Sequence, residues 1–323
     1  MAAYIARRLL WVVFLLFTIS CITFVIFSVL PSGDPAVARA GKSPSPQLVE
    51  TIRVQLGLDK SKPEQFINYI GDILPFVGGN GVNFGFSFQN NTEVLPEILE
   101  RLPVTIFLAT GAVLLWLAIG IPIGVLSAIK TGSWMDRLAM GIALLFISAP
   151  VYFLGLVAIT LFSDDIGVWP ILPGNSAYGE ATTFAGKAEA LIMPWCVLAA
   201  AFAAIYARFL RGNLIDTLQE DYIRTARAKG LSERRVIFRH GVRAAITPIV
   251  TLLGLDIGIL LGGAILTETV FNVPGIGRYA YNAISVSDLP VIQGTVLFGA
   301  FFIVMMSLIV DILYAFIDPR VRY

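Results

Sequence analysis

Long apolar runs separated by polar breaks dominate this chain. Windows at 9–30, 103–129, 138–162, 188–210, 246–270 and 291–317 are rich in helix formers and carry no central run of charge. A membrane crossing needs about 20 mostly apolar residues. In hydrocarbon only helices and closed barrels satisfy their own backbone groups. The pattern therefore predicts an all-α integral membrane protein with six transmembrane helices. It also sets a provisional organisation: an N-terminal segment with the first helix (1–30), a segment between helices 1 and 2 (31–102), and a five-helix core (103–323).

The first window has a rival reading, because Met1–Arg8 resembles the basic start of a signal peptide and Ala36–Ala40 a small-residue cleavage site. The apolar stretch from Leu9 to Leu30 is longer than the roughly 7–15 residues of a signal core, and Pro31 and Pro35 follow where a helix should stop. An uncleaved span is expected.

Composition agrees with this picture: 57% of the 323 residues are hydrophobic and 14% charged, with mean hydropathy +0.80. A water-soluble domain of this size is excluded. The distribution of charge then sets an orientation. Arg7, Arg8, Lys130, Arg137, Arg320, Arg322 and nine Lys/Arg of the loop between helices 4 and 5 place 15 of the 23 basic residues on one side. Both termini and that loop, 211–245, are thus expected in the cytoplasm. Segment 31–102 is expected outside, with helices around Pro46–Leu56 and Pro63–Ile73, a turn-rich Gly78–Gly81 and an extended Asn83–Ser87.

Several chemistries drop out. Cys21 and Cys196 both lie in predicted spans and are read as packing residues, without a disulfide framework. The single histidine, His240, cannot build a metal cluster or a hydrolytic triad. No metal site and no nucleic-acid partner are expected. Gly41-Lys42-Ser43 imitates the end of a phosphate-binding loop, but position 36 is Ala where the motif needs Gly, and Pro44 and Pro46 oppose the helix that must follow. No nucleotide or other cofactor is expected on this chain.

The most informative stretch runs from Gln219 to Val236 and reads as helix, break, helix. Glu220 and Asp221 suit a first turn, Arg227 and Lys229 a last turn, and Gly230 the left-handed position that ends it. Ser232 is placed to cap a second helix with Glu233 in its first turn. With Tyr222 and Arg224 beside the small residues Thr225, Ala226 and Ala228, the short helix is suited to dock into another protein's groove. By charge alone the segment is an ordinary positive-inside loop.

The segment from Asp221 to Gly230, and its continuation to Val236, resembles the EAA loop of ABC importer permeases in the form of the dipeptide, oligopeptide and nickel subfamily. The resemblance extends along nearly the whole chain, through Gly33-Asp34-Pro35, Leu56–Asp59, Gly263–Phe271, Pro274–Gly277 and Asp318–Arg322. The chain is closest in character to that subfamily's B-type permeases. The acidic position of the motif is Arg224 here, which puts in doubt any salt bridge borrowed from other branches. The resemblance implies a type I importer permease fold with an external subdomain between helices 1 and 2, in the bacterial inner membrane. It implies as partners a second permease subunit, expected as a distinct chain, two cytoplasmic ATPase subunits carrying ATP and Mg, and an extracytoplasmic binding protein. This chain would be a non-catalytic subunit, with Glu220–Gly230 coupling ATPase motion to alternating access. Peptide is the expected cargo as the commonest in the subfamily, with glutathione and metal chelates as alternatives; segment 31–102 is open to docking the binding protein or packing on the second permease.

Within the spans, Gly254, Gly258 and Gly262 form a small-residue stripe suited to close helix packing or a substrate groove. Asp256 lies mid-span and must face protein or water: it lines the pathway or pairs with a neighbouring helix. Glu268 and Asp311 are weaker pathway candidates, with interfacial solvation as the alternative. The rival functional class is a secondary transporter or channel working without ATPases, for which Asp256 is the one midplane acid on offer.

Overall fold

The computed structural model describes residues 2–30, 34–40, 45–74 and 82–317. Gly33, Gly41–Ser43, Gly78–Gly81 and Asp318–Arg322 lie outside the described residues. Helix α1 (Ala2–Phe24) runs into a π-helical turn, Val25–Val29. Three helices follow: α2 (Pro35–Ala40), α3 (Pro46–Gln55) and α4 (Lys62–Ile73). Ser45 begins α3 by accepting from the Leu48 N–H, with proline at the first helical position. Then come α5 (Val94–Ile129), α6 (Trp134–Ser148), α7 (Val151–Phe162), α8 (Ala177–Glu180) and the 36-residue α9 (Phe184–Gln219). The next segment holds α10 (Asp221–Ala228), α11 (Glu233–Arg235), a π-helical stretch Val236–Val242 and α12 (Arg243–Ala245). The chain closes with α13 (Thr247–Leu261), α14 (Ile265–Val270), α15 (Ile276–Ser285) and α16 (Leu289–Ile317). Among the described residues no strand forms, only the isolated bridges Phe86–Glu93 and Ser163–Leu172.

Among the described residues four helices are long and apolar enough to cross a bilayer, at Ile5–Val29, Val94–Ile129, Phe184–Gln219 and Leu289–Leu313. The remaining two predicted spans are not single rods. The window at 138–162 is α6 and α7 bent by 102°, because Pro150 lacks the N–H a continuous helix needs and forces Ala149 into extended backbone. The window at 246–270 is α13 followed by a break at 262–264 and the short α14. Gly263 there has φ +120°, and a Cβ on it would lie 2.6 Å from the Gly277 backbone. Pro122 and Pro194, equally capable of breaking helices, sit inside unbroken α5 and α9.

The chain divides into two compact units. The first comprises Met1–Pro103, Leu261–Gly263 and Gly275–Tyr323. In it α1 packs along α16, joined by an ion pair of 2.6 Å between Arg8 and Asp311. Phe66 and Tyr69 of α4 set their rings against Phe24. Its core is Val94, Ile98, Ile276, Val291 and Phe298. Asp288, 3% exposed, clamps the 87–89 turn by accepting from Ser87 Oγ at 2.5 Å and the Phe88 N–H at 3.0 Å. Gly262 lies against Gly299, so one glycine of the predicted stripe serves close packing. Much of α1, including Leu10, Trp11, Val13 and Phe14, is exposed, as lipid but not water would allow over so long a run.

The second unit comprises Val104–Leu260 and Ala264–Pro274, with α9 at its centre. Gly120 and Gly124 of α5 meet the α9 backbone at Ala203 and Ala207, where a Cβ would come within 3 Å of a carbonyl oxygen. Trp116, fully buried, stacks on Phe202 with ring centroids 4.6 Å apart. Gly155 of α7 admits Val270 and Phe271. Cys196 is exposed and Cys21 only half-buried, so the packing role expected of both fits Cys21 better.

Candidate coupling and pathway sites

Helix α10 is fixed from behind and open in front. Glu220 precedes it in extended backbone at the N-cap position, and Asp221 supplies the acid of the first turn. Ile223 and Ala226 face inward onto Val236, with Leu218 and Leu231 around them. The helix ends where Gly230 takes φ +75°, the left-handed conformation its place in the sequence predicts. The Leu231 N–H reaches the Ala226 carbonyl at 3.4 Å and the Gly230 N–H the Arg227 carbonyl at 2.9 Å. This is the Schellman arrangement, complete with its apolar contact between Leu231 and Ala226.

Of the ten residues Glu220, Asp221, Tyr222, Arg224, Thr225, Ala226, Arg227, Ala228, Lys229 and Gly230, nine are exposed. Ala226 is buried, so the small residue expected on the docking face packs against the chain's own core. Arg227 Nε donates to Glu233 Oε1 at 2.7 Å across the turn, and Arg224 pairs with Asp221 at 3.2 Å. Ser232 occupies the N-cap position of α11 without a side-chain capping bond. The π-helical stretch behind α10 seats Gly241 against Leu214 and Leu218 of α9. A Cβ there would come within 3.2 Å of both leucines.

About two turns before the end of α9 lies a feature that reading the sequence missed. Asp136, 4% exposed, receives Arg211 Nε at 2.7 Å and a second guanidinium nitrogen at 2.8 Å. It also accepts from Ser127 Oγ and from the Gly132 N–H at 2.8 Å. The node ties together the end of α5, the start of α6 and α9. The available signal was Ser133-Trp134-Met135-Asp136, the pattern of a helix start; Ser133 does cap α6, accepting from the Asp136 N–H at 3.2 Å. By sequence Arg211 reads only as a loop charge.

The intramembrane acids are also partnered. Asp256 of α13 accepts from Tyr206 Oη at 2.7 Å, and Tyr206 is itself fully buried. Asp256 remains half-exposed beside this partner. Glu268 is fully buried. Its Oε1 accepts from Thr105 Oγ1 at 3.0 Å and the Ala264 N–H at 3.3 Å, which holds α14 against α5. Among the described residues no group of His, Cys, Asp and Glu has the makings of a metal site.

The family described as binding-protein-dependent transport system inner membrane component matches residues 120–323, and its N-terminal counterpart matches residues 1–109. The glutathione transport system permease protein GsiC of Escherichia coli strain K12 is 39% identical over 323 residues, all of this chain and all of that protein. The protein of the same name in Shigella flexneri serotype 5b matches to the same extent. A crystal structure of an amino acid ABC transporter with histidines superposes with a TM-score of 0.48 and 16% identity, covering 70% of this chain and 94% of that one. The chain belongs to the binding-protein-dependent transport system inner membrane component family.

Proposed function

We propose that this member of the permease family is the transmembrane subunit of an ATP-driven importer of short peptides, and that α10 is the element through which partner ATPases drive it. One observation carries the coupling role. The backbone of α10 is capped at its glycine end and its apolar side is consumed by Val236, yet Asp221, Tyr222, Arg224, Thr225 and Arg227 all face outward. A helix built in this way presents a rigid polar knob. Peptide cargo is supported by the relatives named for glutathione, itself a tripeptide.

In this reading ATP and Mg act on two cytoplasmic ATPase subunits, whose closure displaces α10. The displacement reaches α9 through the seat of Gly241 on Leu214 and Leu218. It passes to α5 and α6 through Arg211 and Asp136. The spans then alternate access between the two sides. The excess of Lys/Arg at 208–243 puts α10 and both termini in the cytoplasm of a bacterial inner membrane, leaving 31–102 outside with the binding protein. A second, distinct permease completes the pore. Asp256, half-exposed beside Tyr206, is placed to meet a cationic peptide amine along the pathway.

The test is affinity purification from native membranes in mild detergent, followed by reconstitution. Two ATPases and a second permease are expected to co-purify, with peptide uptake that stops when the partner ATPase is inactivated. A lone chain or homo-oligomer that transports in liposomes without ATP would overturn the reading in favour of a secondary transporter or channel.

A further inference from the structure

The first unit holds a half-open cavity of about 510 Å³ whose walls run from the end of α1 and the start of α16 to α2, α4 and the turn at 83–88. The volume falls within the roughly 300–1,000 Å³ of small-ligand sites. It is too small for a folded partner. Aromatic surface at Phe24 and Phe84 is joined by the amides of Asn68, Asn83 and Gln293.

Three charges line the cavity: Arg39, Lys62 and Asp72. Lys62 is committed, since its Nζ donates to the Ser28 carbonyl at 2.7 Å and to Gln65 Oε1 at 3.3 Å. Arg39 and Asp72 make no ion pair among the described residues. Tyr69 and Gln293 face each other in the wall, and burial pushes the Tyr69 hydroxyl up to about 12 despite the Gln293 amide beside it, so it stays protonated at neutral pH. The cavity thus offers Arg39 as a half-buried cation, Asp72 as an exposed anion and several amides beside aromatic surface. A simple anion would leave Asp72 unanswered, and the described residues hold no group suited to a metal.

We propose that this cavity is a holding site for a short zwitterionic peptide of two or three residues. Arg39 takes its terminal carboxylate, Asp72 its ammonium group, and the Asn and Gln amides its peptide bonds. The identity of the ligand rests on the peptide-importer reading above. The position does not, because the cavity adjoins the ends of two spans, at Phe24–Val29 and Leu289–Leu297. Cargo released on that side would thus be kept at the membrane boundary.

The test uses the assembled transporter in nanodiscs without phosphatidylethanolamine, whose headgroup carries the same pair of charges, and without binding protein or ATP. Triglycine binding is measured by saturation-transfer NMR and titration. Capping both termini, or either R39Q or D72N, is expected to weaken binding at least about tenfold, the loss of one charge-assisted contact. N68W, at an exposed position of α4 that lines the cavity, is expected to abolish it by filling the space. Triglycine binding unchanged in all three variants, or absent from a transporter that still imports peptides, overturns the holding site and leaves the importer intact. Triglycine binding that stays absent while added phosphatidylethanolamine binds, and is weakened by R39Q and D72N, assigns the cavity to lipid and overturns it too. Failure to import any peptide, with ATPase activity intact, instead overturns the cargo reading.

Discussion

Two Arg–Asp pairs in the second unit, alike in chemistry, do opposite work. In the node on α9, Asp136 and Arg211 have side chains 5% and 25% exposed, and every remaining acceptor of the carboxylate is engaged. On α10, Asp221 and Arg224 have side chains 94% and 71% exposed and touch each other through one contact of 3.2 Å. A buried pair has no capacity left for an outside partner, whereas an exposed pair keeps nearly all of it. The first is a brace and the second a surface.

Breaking the brace gives the largest expected effect. Arg211→Ala leaves the Asp136 carboxylate buried without its cation, a change worth about 3–5 kcal/mol. A large fall in thermal stability in detergent, or loss of folded protein from the membrane, should follow. Replacing both partners with leucine and methionine should cost much less, because no uncompensated charge remains. Equal losses in the single and double variants would show that the node matters for packing and not for charge.

Two glycines sharpen the contrast between crowded and open positions. Gly263 and Gly230 both have positive φ, but a Cβ at Gly263 would strike the Gly277 backbone while one at Gly230 meets nothing within 4 Å. Gly263→Ala combines left-handed strain with overpacking, together about 3 kcal/mol, to be read as a drop in unfolding temperature. Gly230→Val carries mainly the strain, about 1–2 kcal/mol. Its larger consequence should be functional, since a disturbed Schellman turn re-aims α10. The ratio of peptide transported to ATP hydrolysed should fall several-fold in reconstituted transporter while the complex still assembles. An unchanged ratio would remove Gly230 from the coupling mechanism.

Local rules made much of this fold legible. Prolines at 46 and 63, the acids at 220 and 221 and the glycine at 230 each act within a few residues, and the helices they delimit begin and end where those residues direct. Hydropathy located the four long spans, and two more only if each bent helix pair is one span, but not the break at Pro150, the 44° bend between Ala245 and Thr247 or the break at Gly263. It scores composition and is blind to a missing N–H or to a turn that must admit another backbone. Pro122 and Pro194 show why residue type alone could not have foreseen them. The pairings Asp136–Arg211, Thr105–Glu268 and Tyr206–Asp256 join residues 50 to 163 positions apart. No local pattern encodes such partners, so Glu268 reads as a weaker pathway candidate with interfacial solvation as the alternative, and Arg211 as a loop charge.

The smallest expected change in stability tests the surface side of the comparison most directly. Removing both Asp221 and Arg224 as alanines should cost at most about 1 kcal/mol, since exposed pairs contribute little and the apolar contacts of Ile223 and Ala226 are untouched. Membrane yield and unfolding temperature should stay near those of the parent chain. If α10 is a docking knob, the same substitution should weaken association with the ATPase subunits and slow peptide uptake, both measurable on the assembled transporter. Unaltered stability with unaltered assembly and uptake would show that exposure on this helix is ordinary solvation. Lost stability with normal coupling among surviving complexes would move Asp221 and Arg224 to the structural side, beside Asp136 and Arg211.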